Sequence, residues 1–463
     1  MTDEKPNLVA RLMKSASKIE PHEVKSVLVS FALVFLLMAA WYILRPVRDA
    51  MASDWTATEI SQLWNINFFV CIAVVALYGF AVSHVRFAYL VPGTYGFFAA
   101  TFLGFYFGTS GMGDVVVFTS IVNQDMGLFP ISWEINLTVD KIFYIWVSVF
   151  SLYHVTVFWT FMADLFTKEQ SNRLFAFIAA GASAGALVGP MIPTFFAEVM
   201  GTDKLMLTAA VLLVIPILLT IYLEKLKVTE LHNDSVQVDL SGASIGGNPL
   251  AGFRMFFTNP YLLAIGVFLL LYTALGSFAY FFQTELLAPY DEATRTRILG
   301  GLDLTVNILT FAIGMFATSR IVSRFGMAVT LALVPVFMAV AMLILAFAPI
   351  LIVALAVQVA RRAGNYGITQ PGRQMLFTAL DRETRFKAKP VIDVAVYRGG
   401  DALSGNFYAL FKDDLGFALA AMALIGGAIA LLWSVLGVYL GRVFKRREGV
   451  SNGVTAEVPR AAV

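Results

Sequence analysis

Two adjacent arginines, Arg361 and Arg362, interrupt a long apolar stretch of the chain. Pro349 marks the expected start of their helix, which places both guanidiniums roughly 18 Å along it, near the middle of a bilayer. Gln358 and Asn365 fall close to the helix face that carries Arg361. Because guanidinium forks match carboxylate and phosphate oxygens, these four polar residues predict an anion-binding site. The alternative is an internal ion pair with a carboxylate on a neighbouring helix.

A second group of charges, Asp393, Arg398 and Asp401, lies on the next apolar segment. Arg398 and Asp401 are three residues apart and can pair along a helix. Asp401 lies roughly 17 Å from Pro390, again near the middle of a bilayer. We interpret Arg398 as a further anion ligand, and Asp401 and Asp393 as candidates for proton coupling or gating. A permanent salt bridge from Asp401 to Arg361 or Arg398 is the alternative.

The first apolar stretch ends with Arg45, Arg48 and Asp49, and Pro46 lies between the two arginines. Arg48 and Asp49 are too close in sequence to pair easily on a helix, so we expect each to find a partner across the bundle. The functional interpretation is a substrate-binding or gating role for the arginines and a gating role for Asp49. An interfacial anchor at the outer end of the helix is the alternative.

Four further side chains are candidates for binding, proton transfer or gating. Tyr144 lies on the same predicted helix as His154 and is assigned to substrate binding. An intramembrane histidine suits proton relay, but a hydrogen-bonded packing histidine fits the pattern equally well. Asp303 and Glu285 predict an outer gate, with capping of helix ends as the alternative.

The composition indicates the environment that these charges occupy. Of 463 residues, 59% are hydrophobic and 14% are charged, and the mean hydropathy is +0.76. Soluble domains carry about 25% charged residues, so the chain reads as a polytopic membrane protein. The net charge of +2 does not favour a nucleic-acid partner. With a single cysteine, Cys71, the chain has no basis for a disulfide framework or a cysteine metal cluster.

No motif points to an enzyme. The chain contains no Walker-type glycine loop, no His/Cys/carboxylate cluster with metal-ligand spacing and no Ser/His/Asp arrangement above chance. We therefore expect no catalytic residues, no cofactor and no bound metal.

Apolar windows and helix breakers predict an all-α protein with about twelve transmembrane helices. Most of the 33 Lys and Arg residues fall in the tails and the even-numbered connections. The positive-inside rule then places both termini in the cytoplasm, and we expect a bacterial inner membrane location. The first apolar run leads into a full span, so we expect it to be retained. The predicted spans are 24–52, 60–83, 86–109, 141–165, 173–199, 204–224, 261–285, 300–320, 327–347, 350–373, 390–412 and 416–442.

The chain also divides at a polar, glycine- and serine-rich segment near its middle. The predicted domains are an N-terminal tail 1–23, a six-helix bundle 24–224, a cytoplasmic linker with a short interfacial helix 225–260, a second six-helix bundle 261–443 and a C-terminal tail 444–463. Leu165, Phe166 and Thr167 end the fourth span, and Leu376, Phe377 and Thr378 stand at the matching place in the second half. These pseudo-symmetric halves resemble the design of the major facilitator superfamily, which implies its fold.

A more specific resemblance lies between the predicted tenth and eleventh spans. This segment is similar to the ATP/ADP translocase family of plastid and bacterial nucleotide carriers, in a pattern of paired lysines, an Asp-Val pair, an arginine and a glycine. The matching residues are Lys387, Lys389, Asp393, Val394, Arg398 and Gly399. That family carries a lysine soon after the matched arginine, where this chain has Asp401. The end of the first span, with Arg45, Pro46, Arg48 and Asp49, is reminiscent of bacterial relatives in the same group.

Another glycine-rich segment, from Gly181 to Pro190, resembles the Gly/Pro motif of antiporters in the superfamily. Close helix packing through small residues is the alternative interpretation.

Together these patterns predict a secondary active transporter of an organic anion that works by alternating access, such as a nucleotide exchanger. A proton-coupled symporter or exporter of a peptide, siderophore or sugar acid is the first alternative, and a membrane receptor or scaffold is a distant one. The expected partners are a small anionic substrate, protons or a counter-substrate, and the lipid bilayer. We expect a monomer.

Overall fold

The computed structural model describes residues 19–109, 115–126, 129–233, 251–380, 384, 387–389 and 391–456. The predicted tails and linker therefore lie partly outside the described residues, as does the part of the nucleotide-carrier resemblance at 381–383, 385–386 and 390. In chain order, the described helices of seven or more residues are α1 Val24–Met51, α2 Ala57–His84, α3 Phe87–Thr109, α4 Val139–Leu165, α5 Lys168–Thr229, α6 Ala251–Thr258, α7 Pro260–Leu287, α8 Glu292–Phe316, α9 Thr318–Phe347, α10 Leu351–Gly364, α11 Gln370–Leu376, α12 Tyr397–Ala409 and α13 Leu419–Ala456.

Nine helices in the described part of the chain are long and apolar enough to cross a membrane. One of them, α5, has 62 residues and contains a backbone break at Gly201, where φ is +75°. Because glycine lacks a Cβ, it adopts this left-handed conformation at little steric cost. The break divides α5 at the place where the sequence predicts the end of one span and the start of the next.

Two further predicted spans are built from shorter pieces. A π-helical turn, Asn365–Thr369, joins α10 to α11. A second π-helical segment, Val391–Val396, leads into α12, and a third, Leu410–Asp414, follows it. With α5 counted as two spans and these discontinuous segments included, the described chain contains the twelve predicted spans. The prediction of an all-α membrane fold is confirmed.

Side-chain hydrogen bonds stabilise the starts of α5 and α8. Thr167 and Gln170 form a reciprocal capping box at the start of α5. Ahead of α8, Asp291 accepts hydrogen bonds from the Thr294 hydroxyl at 2.6 Å and the Thr294 backbone N–H at 2.9 Å. These bonds favour the charged carboxylate, so they lower the pKa of Asp291 below its ordinary value.

A β-hairpin separates α3 from α4, in a segment for which the sequence predicts no element. Strands β1, Val116–Met126, and β2, Phe129–Thr138, pair antiparallel. Each strand is too short to read as a helical span, and the search for apolar windows of about 20 residues passes over such segments.

Large apolar side chains cover much of the outer surface of the helices. Phe347 is 84% exposed and Val199 is 80% exposed, and Phe69 and Phe107 are also largely exposed. On a water-soluble protein such patches would drive association, whereas lipid tails solvate them. The surface therefore agrees with a multi-pass membrane protein.

The chain forms two compact units. Unit 1 comprises Met1–Ala52, Phe69–Ile245 and Tyr290–Leu304, and unit 2 comprises Ser53–Phe68, Gly246–Pro289 and Thr305–Val463. The division passes within α2 and within α8, so each unit contains the first part of one helix and the remainder of the other. The limits predicted for the two bundles and the linker stay predictions, although a short helix, α6, does lie within the predicted linker.

Within unit 1, the glycine-rich segment of α5 packs against α1. A Cβ added at Gly189 would lie 2.8 Å from the backbone oxygen of Ala39, and one added at Gly185 would meet the backbone oxygen of Phe35. These distances are below van der Waals contact, so only glycine permits the crossing. The contacts agree with the packing interpretation of this segment.

Within unit 2, close crossings bring polar residues of α7 and α12 together. A Cβ added at Gly400 on α12 would meet the hydroxyl of Thr273 on α7. One turn further, the hydroxyls of Ser277 and Ser404 are 2.6 Å apart. This crossing fixes the position of α12 next to α7.

Candidate functional site

A cluster at the end of α1, in unit 1, contains Arg45, Arg48 and Asp49. Arg48 Nη2 is 2.7 Å from Asp49 Oδ1, and Arg48 Nε donates to the same oxygen at 2.9 Å. The expectation that these two residues do not pair with each other is therefore wrong. The long arginine side chain folds back along the helix and reaches the short aspartate beside it, which spacing on a helical surface alone does not reveal.

Other predicted residues join this α1 cluster. Arg45 Nη1 lies 3.4 Å from Asp303 Oδ1, so Asp303 pairs with a side chain from α1. Arg48 lies 5.0 Å from the ring of Tyr144, and its Nη1 donates to Ser148 at 3.1 Å. The cluster contains two guanidiniums and two carboxylates, and its net charge is zero.

His154 lies on α4 among aromatic rings. It is 2% exposed, and its Nδ1 is 2.9 Å from the backbone oxygen of Phe150. The imidazole stacks on Trp41 at 5.5 Å and on Phe150 at 5.1 Å. These contacts are those of a packing histidine, and the role in proton relay stays a prediction.

In unit 2, Arg361 is held by neutral groups. Its Nε and Nη2 donate to Gln358 Oε1 at 3.1 and 2.8 Å, as the predicted shared face requires. Its Cζ lies 5.6 Å from the ring of Tyr272, which packs on Trp433 at 5.7 Å. Arg361 is 9% exposed, so a full positive charge is buried in a fixed orientation.

The neighbours of Arg361 along the chain are buried as well. Arg362 is 5% exposed, Asn365 is 7% exposed and Gln358 is 2% exposed. The π-helical turn Asn365–Thr369 follows them directly. The predicted polar face of this span therefore turns inward, away from lipid.

Asp401 and Arg398 form a loose pair on α12. Arg398 Nη1 lies 3.9 Å from Asp401 Oδ2, in the predicted spacing of three residues. Their side chains are 22% and 28% exposed, more than those of Arg361 and Gln358. Arg361 and Tyr272 are close enough to Asp401 to interact with it electrostatically. The structure thus brings Arg361, Gln358, Tyr272, Arg398 and Asp401 together, and we call this group the Arg361 cluster.

Two other predicted carboxylates have basic partners. Asp393 Oδ1 lies 3.4 Å from Arg373 Nη2, and Glu285 Oε1 lies 2.8 Å from Lys412 Nζ. Arg373 was not among the sequence candidates, although it is a charged residue on the same predicted span as Arg361. Tyr272 was also missed, because an aromatic residue in an apolar helix carries no distinguishing signal.

Comparison with known structures shows the fold. The chain is similar to a bacterial homologue of the human lysosomal transporter Spinster, with 14% identity, a TM-score of 0.57 and coverage of 93% of this chain and 99% of that one. It is similar to the nucleoside transporter NupG, with 12% identity, a TM-score of 0.60 and coverage of 91% and 99%. It is also similar to the xylose transporter XylE from E. coli, with 16% identity, a TM-score of 0.54 and coverage of 89% and 95%.

Sequence comparison identifies the family. A search of curated proteins gave no match. The family model of the Major Facilitator Superfamily matches residues 30–385, which is more than half of the chain. The chain therefore belongs to the Major Facilitator Superfamily and is a multi-pass membrane transporter of small molecules rather than an enzyme.

Proposed function

We propose that this transporter is a secondary active carrier of an organic anion, which it moves across a bacterial inner membrane by alternating access. Nucleotides and other phosphorylated metabolites are the substrate class to test first, because the segment around Arg398 resembles nucleotide carriers. The protein acts as a monomer, with both termini in the cytoplasm.

The observation that supports an anionic substrate is the setting of Arg361. A buried guanidinium inside a membrane helix costs several kcal/mol, so a structural role alone is a poor reason to keep it. Gln358 and Tyr272, both neutral, orient the group, and Asp401 is the carboxylate that interacts with its charge. An orientated cation in a site of low dielectric binds a carboxylate or phosphate strongly.

The net charge of the Arg361 cluster points the same way. It contains two guanidiniums and one carboxylate, whereas the α1 cluster contains equal numbers of both. An incoming anion therefore balances the Arg361 cluster, and only the loose Arg398–Asp401 pair has to rearrange. For this reason we place substrate at the Arg361 cluster, with Arg362 and Asn365 beside it, and assign gating to Arg45, Arg48, Asp49, Asp303 and Glu285.

A screen of the purified full-length protein identifies the substrate class. Thermal unfolding is measured with ADP, ATP, inorganic phosphate, a hexose phosphate, citrate and a dipeptide. We expect stabilisation by one or more of the anions, because a ligand that binds only the folded state raises the unfolding temperature. Stabilisation by the zwitterionic dipeptide alone would argue against an anionic substrate.

Arg361→Ala tests the assignment directly. We expect at least about a tenfold loss of uptake into liposomes for the anion found in the screen, since charge-assisted hydrogen bonds are lost. Arg361→Lys keeps the charge but not the fork, so an intermediate loss is expected. Arg324→Ala, which removes an exposed arginine at the start of α9, is the matched control. Undiminished uptake in Arg361→Ala and Arg361→Lys would remove Arg361 from the site.

A second candidate mechanism is proton-coupled transport of the same or another solute through Asp401. Its support is the 3.9 Å separation from Arg398 together with the partial exposure of both side chains. A carboxylate in a loose pair can exchange its arginine for a proton during the transport cycle, which a tightly hydrogen-bonded pair such as Arg48–Asp49 does not allow.

A further inference from the structure

Gly276 lies on α7, one helical turn after Tyr272, at the point where α7 passes the end of the Arg361 side chain. A Cβ added at this position would lie 2.9 Å from Arg361 Nη1 and 3.5 Å from Arg361 Cζ. Atoms in van der Waals contact are about 3.5–4.0 Å apart, so an alanine here overlaps the guanidinium in its present position.

The overlap is confined to Arg361. Within 4 Å, the added Cβ would meet no other atom of the described residues outside its own helix backbone and chain neighbours. The glycine is therefore not needed for close packing of α7 against another backbone, unlike Gly400 on α12, which faces Thr273. Its φ is not in the left-handed region, so backbone strain does not require glycine either.

The contacts of Arg361 show which part of the guanidinium is open to a ligand. Nε and Nη2 share the Gln358 oxygen, and Tyr272 lies against the group. The Cβ added at Gly276 would lie more than 4 Å from Nη2, so Gly276 faces the flat side of the guanidinium beside Nη1 and not its Nη1–Nη2 end. A guanidinium has five N–H donors, and the end formed by Nη1 and Nη2 presents parallel donors that match two oxygens of one oxyanion. Neither Gln358 nor Gly276 lies at that end.

We propose that Gly276 is a positioning residue for Arg361, and that its missing side chain lets the guanidinium lie flat against α7, in the position from which its Nη1–Nη2 end can meet two oxygens of a carboxylate or phosphate. This inference rests on the proposed function, because it takes Arg361 as the anion-binding group. It adds the mode of recognition: an end-on, two-oxygen contact set by a glycine on a different helix.

Gly276→Ala tests the inference with ADP as the probe in binding and uptake measurements on the full-length protein. We expect about a tenfold lower affinity, the equivalent of one charge-assisted hydrogen bond, and an unchanged unfolding temperature without ligand. Gly314→Ala on α8 is the matched control, because a Cβ there meets nothing within 4 Å.

A double-mutant cycle with Arg361→Lys separates positioning from a general packing defect. Lysine has no Nη1 that the alanine could displace. In the Arg361→Lys background, Gly276→Ala should therefore cause no further loss of affinity for ADP. Equal losses in both backgrounds would show that Gly276 acts independently of Arg361 and would overturn the inference.

Chemical labelling gives a readout that needs no substrate. Phenylglyoxal condenses with the two terminal nitrogens of a guanidinium, so the rate of Arg361 modification, followed by mass spectrometry, reports access to the Nη1–Nη2 end. We expect modification in the wild type and in Gly314→Ala, and a different rate in Gly276→Ala, because the added methyl group shifts the guanidinium. No modification of Arg361 in the wild type, or equal rates in all three, would overturn the inference.

The ADP measurements and the labelling experiment together also distinguish this inference from the proposed function. If ADP neither binds nor is transported but the labelling rate changes in Gly276→Ala, the nucleotide assignment fails and the positioning role stands. If ADP binding depends on Arg361 but Gly276→Ala behaves like Gly314→Ala in both experiments, the proposed function stands and the role of Gly276 is refuted.

Discussion

Arg48 and Arg361 are stabilised in different ways, and the difference bears on function. Arg48 is neutralised by a carboxylate at 2.7 Å, whereas Arg361 is held by an amide oxygen and a tyrosine ring. An ion pair neutralises the arginine within the protein, whereas contacts with neutral side chains leave its positive charge available to a ligand. The second arrangement is the one expected of a binding residue.

Asp401→Asn tests proton coupling at the residue scale. If Asp401 takes up the proton, asparagine mimics the protonated state, so accumulation driven by a proton gradient should be lost. Substrate binding and counterflow exchange should remain, because neither requires net proton movement. The measurement is uptake into liposomes with and without an imposed pH gradient.

If Asp401 has only a structural role, a different result is expected. Asparagine would then leave Arg398 without its carboxylate and lower the unfolding temperature, with binding and exchange falling together. Retained gradient-driven accumulation would remove Asp401 from the coupling mechanism and leave His154 as the next candidate.

At the same scale, the sequence predicted some contacts and could not predict others. Periodicity placed Gln358 on the face of Arg361, and the three-residue spacing paired Arg398 with Asp401. Neither rule could find Gly276, because its importance lies in a contact with another helix. Helical spacing also gave the wrong answer for Arg48 and Asp49. It considers only the directions of the Cβ atoms, whereas a long arginine side chain can adopt a rotamer that reaches the adjacent aspartate.

At the scale of the element, the tenth span is irregular, and its sequence explains why. Gly364, Gly367, Pro371 and Gly372 weaken the helix around the π-helical turn Asn365–Thr369. Such turns recur at functional sites, and this one directly follows the buried arginines. Glycine and proline explain why the helix is weak there, whereas the form of the break depends on tertiary packing.

Gly185→Ala tests the crossing of α1 and α5. The new methyl group would overlap the backbone oxygen of Phe35 and lie 2.9 Å from Met38 Cβ, which forces the helices apart. Overpacking of this kind costs about 1–3 kcal/mol, so we expect a lower unfolding temperature in detergent. Thermal unfolding of the purified variant gives the measurement.

The control for this variant is Gly104→Ala on α3, where an added Cβ meets nothing within 4 Å. Replacing glycine by alanine in a helix is favourable by up to about 1 kcal/mol through helix propensity. The unfolding temperature of Gly104→Ala should therefore equal or exceed that of the wild type. A Gly185→Ala protein as stable as the Gly104→Ala protein would show that α1 and α5 do not need glycine to pack.

At the scale of the whole molecule, long apolar windows were enough to predict twelve spans, whereas the family was suggested by the resemblance of the two halves to the major facilitator superfamily. The windows work because a bilayer requires each spanning segment to satisfy its own backbone hydrogen bonds, and a helix does so locally. The β-hairpin between α3 and α4 escaped prediction because its hydrogen bonds join two short strands, neither of which resembles a span alone. The division of α2 and α8 between the two units escaped it for a similar reason, since it depends on contacts far apart in sequence.

The orientation of the molecule in the membrane is the remaining prediction at this scale, and the single cysteine makes it testable. Because Cys71 is the only cysteine in the sequence, Cys71→Ala provides a background free of thiols. Single cysteines are then introduced as Thr229→Cys and Ser323→Cys, at positions predicted to be cytoplasmic, and as Tyr290→Cys on the opposite side of α8. A membrane-impermeant maleimide applied to intact cells should label only Tyr290→Cys, with the other two labelled after lysis, because lysine and arginine residues are retained on the cytoplasmic side. The reverse pattern would invert the topology, and labelling of both Ser323→Cys and Tyr290→Cys in intact cells would show that α8 does not cross the membrane.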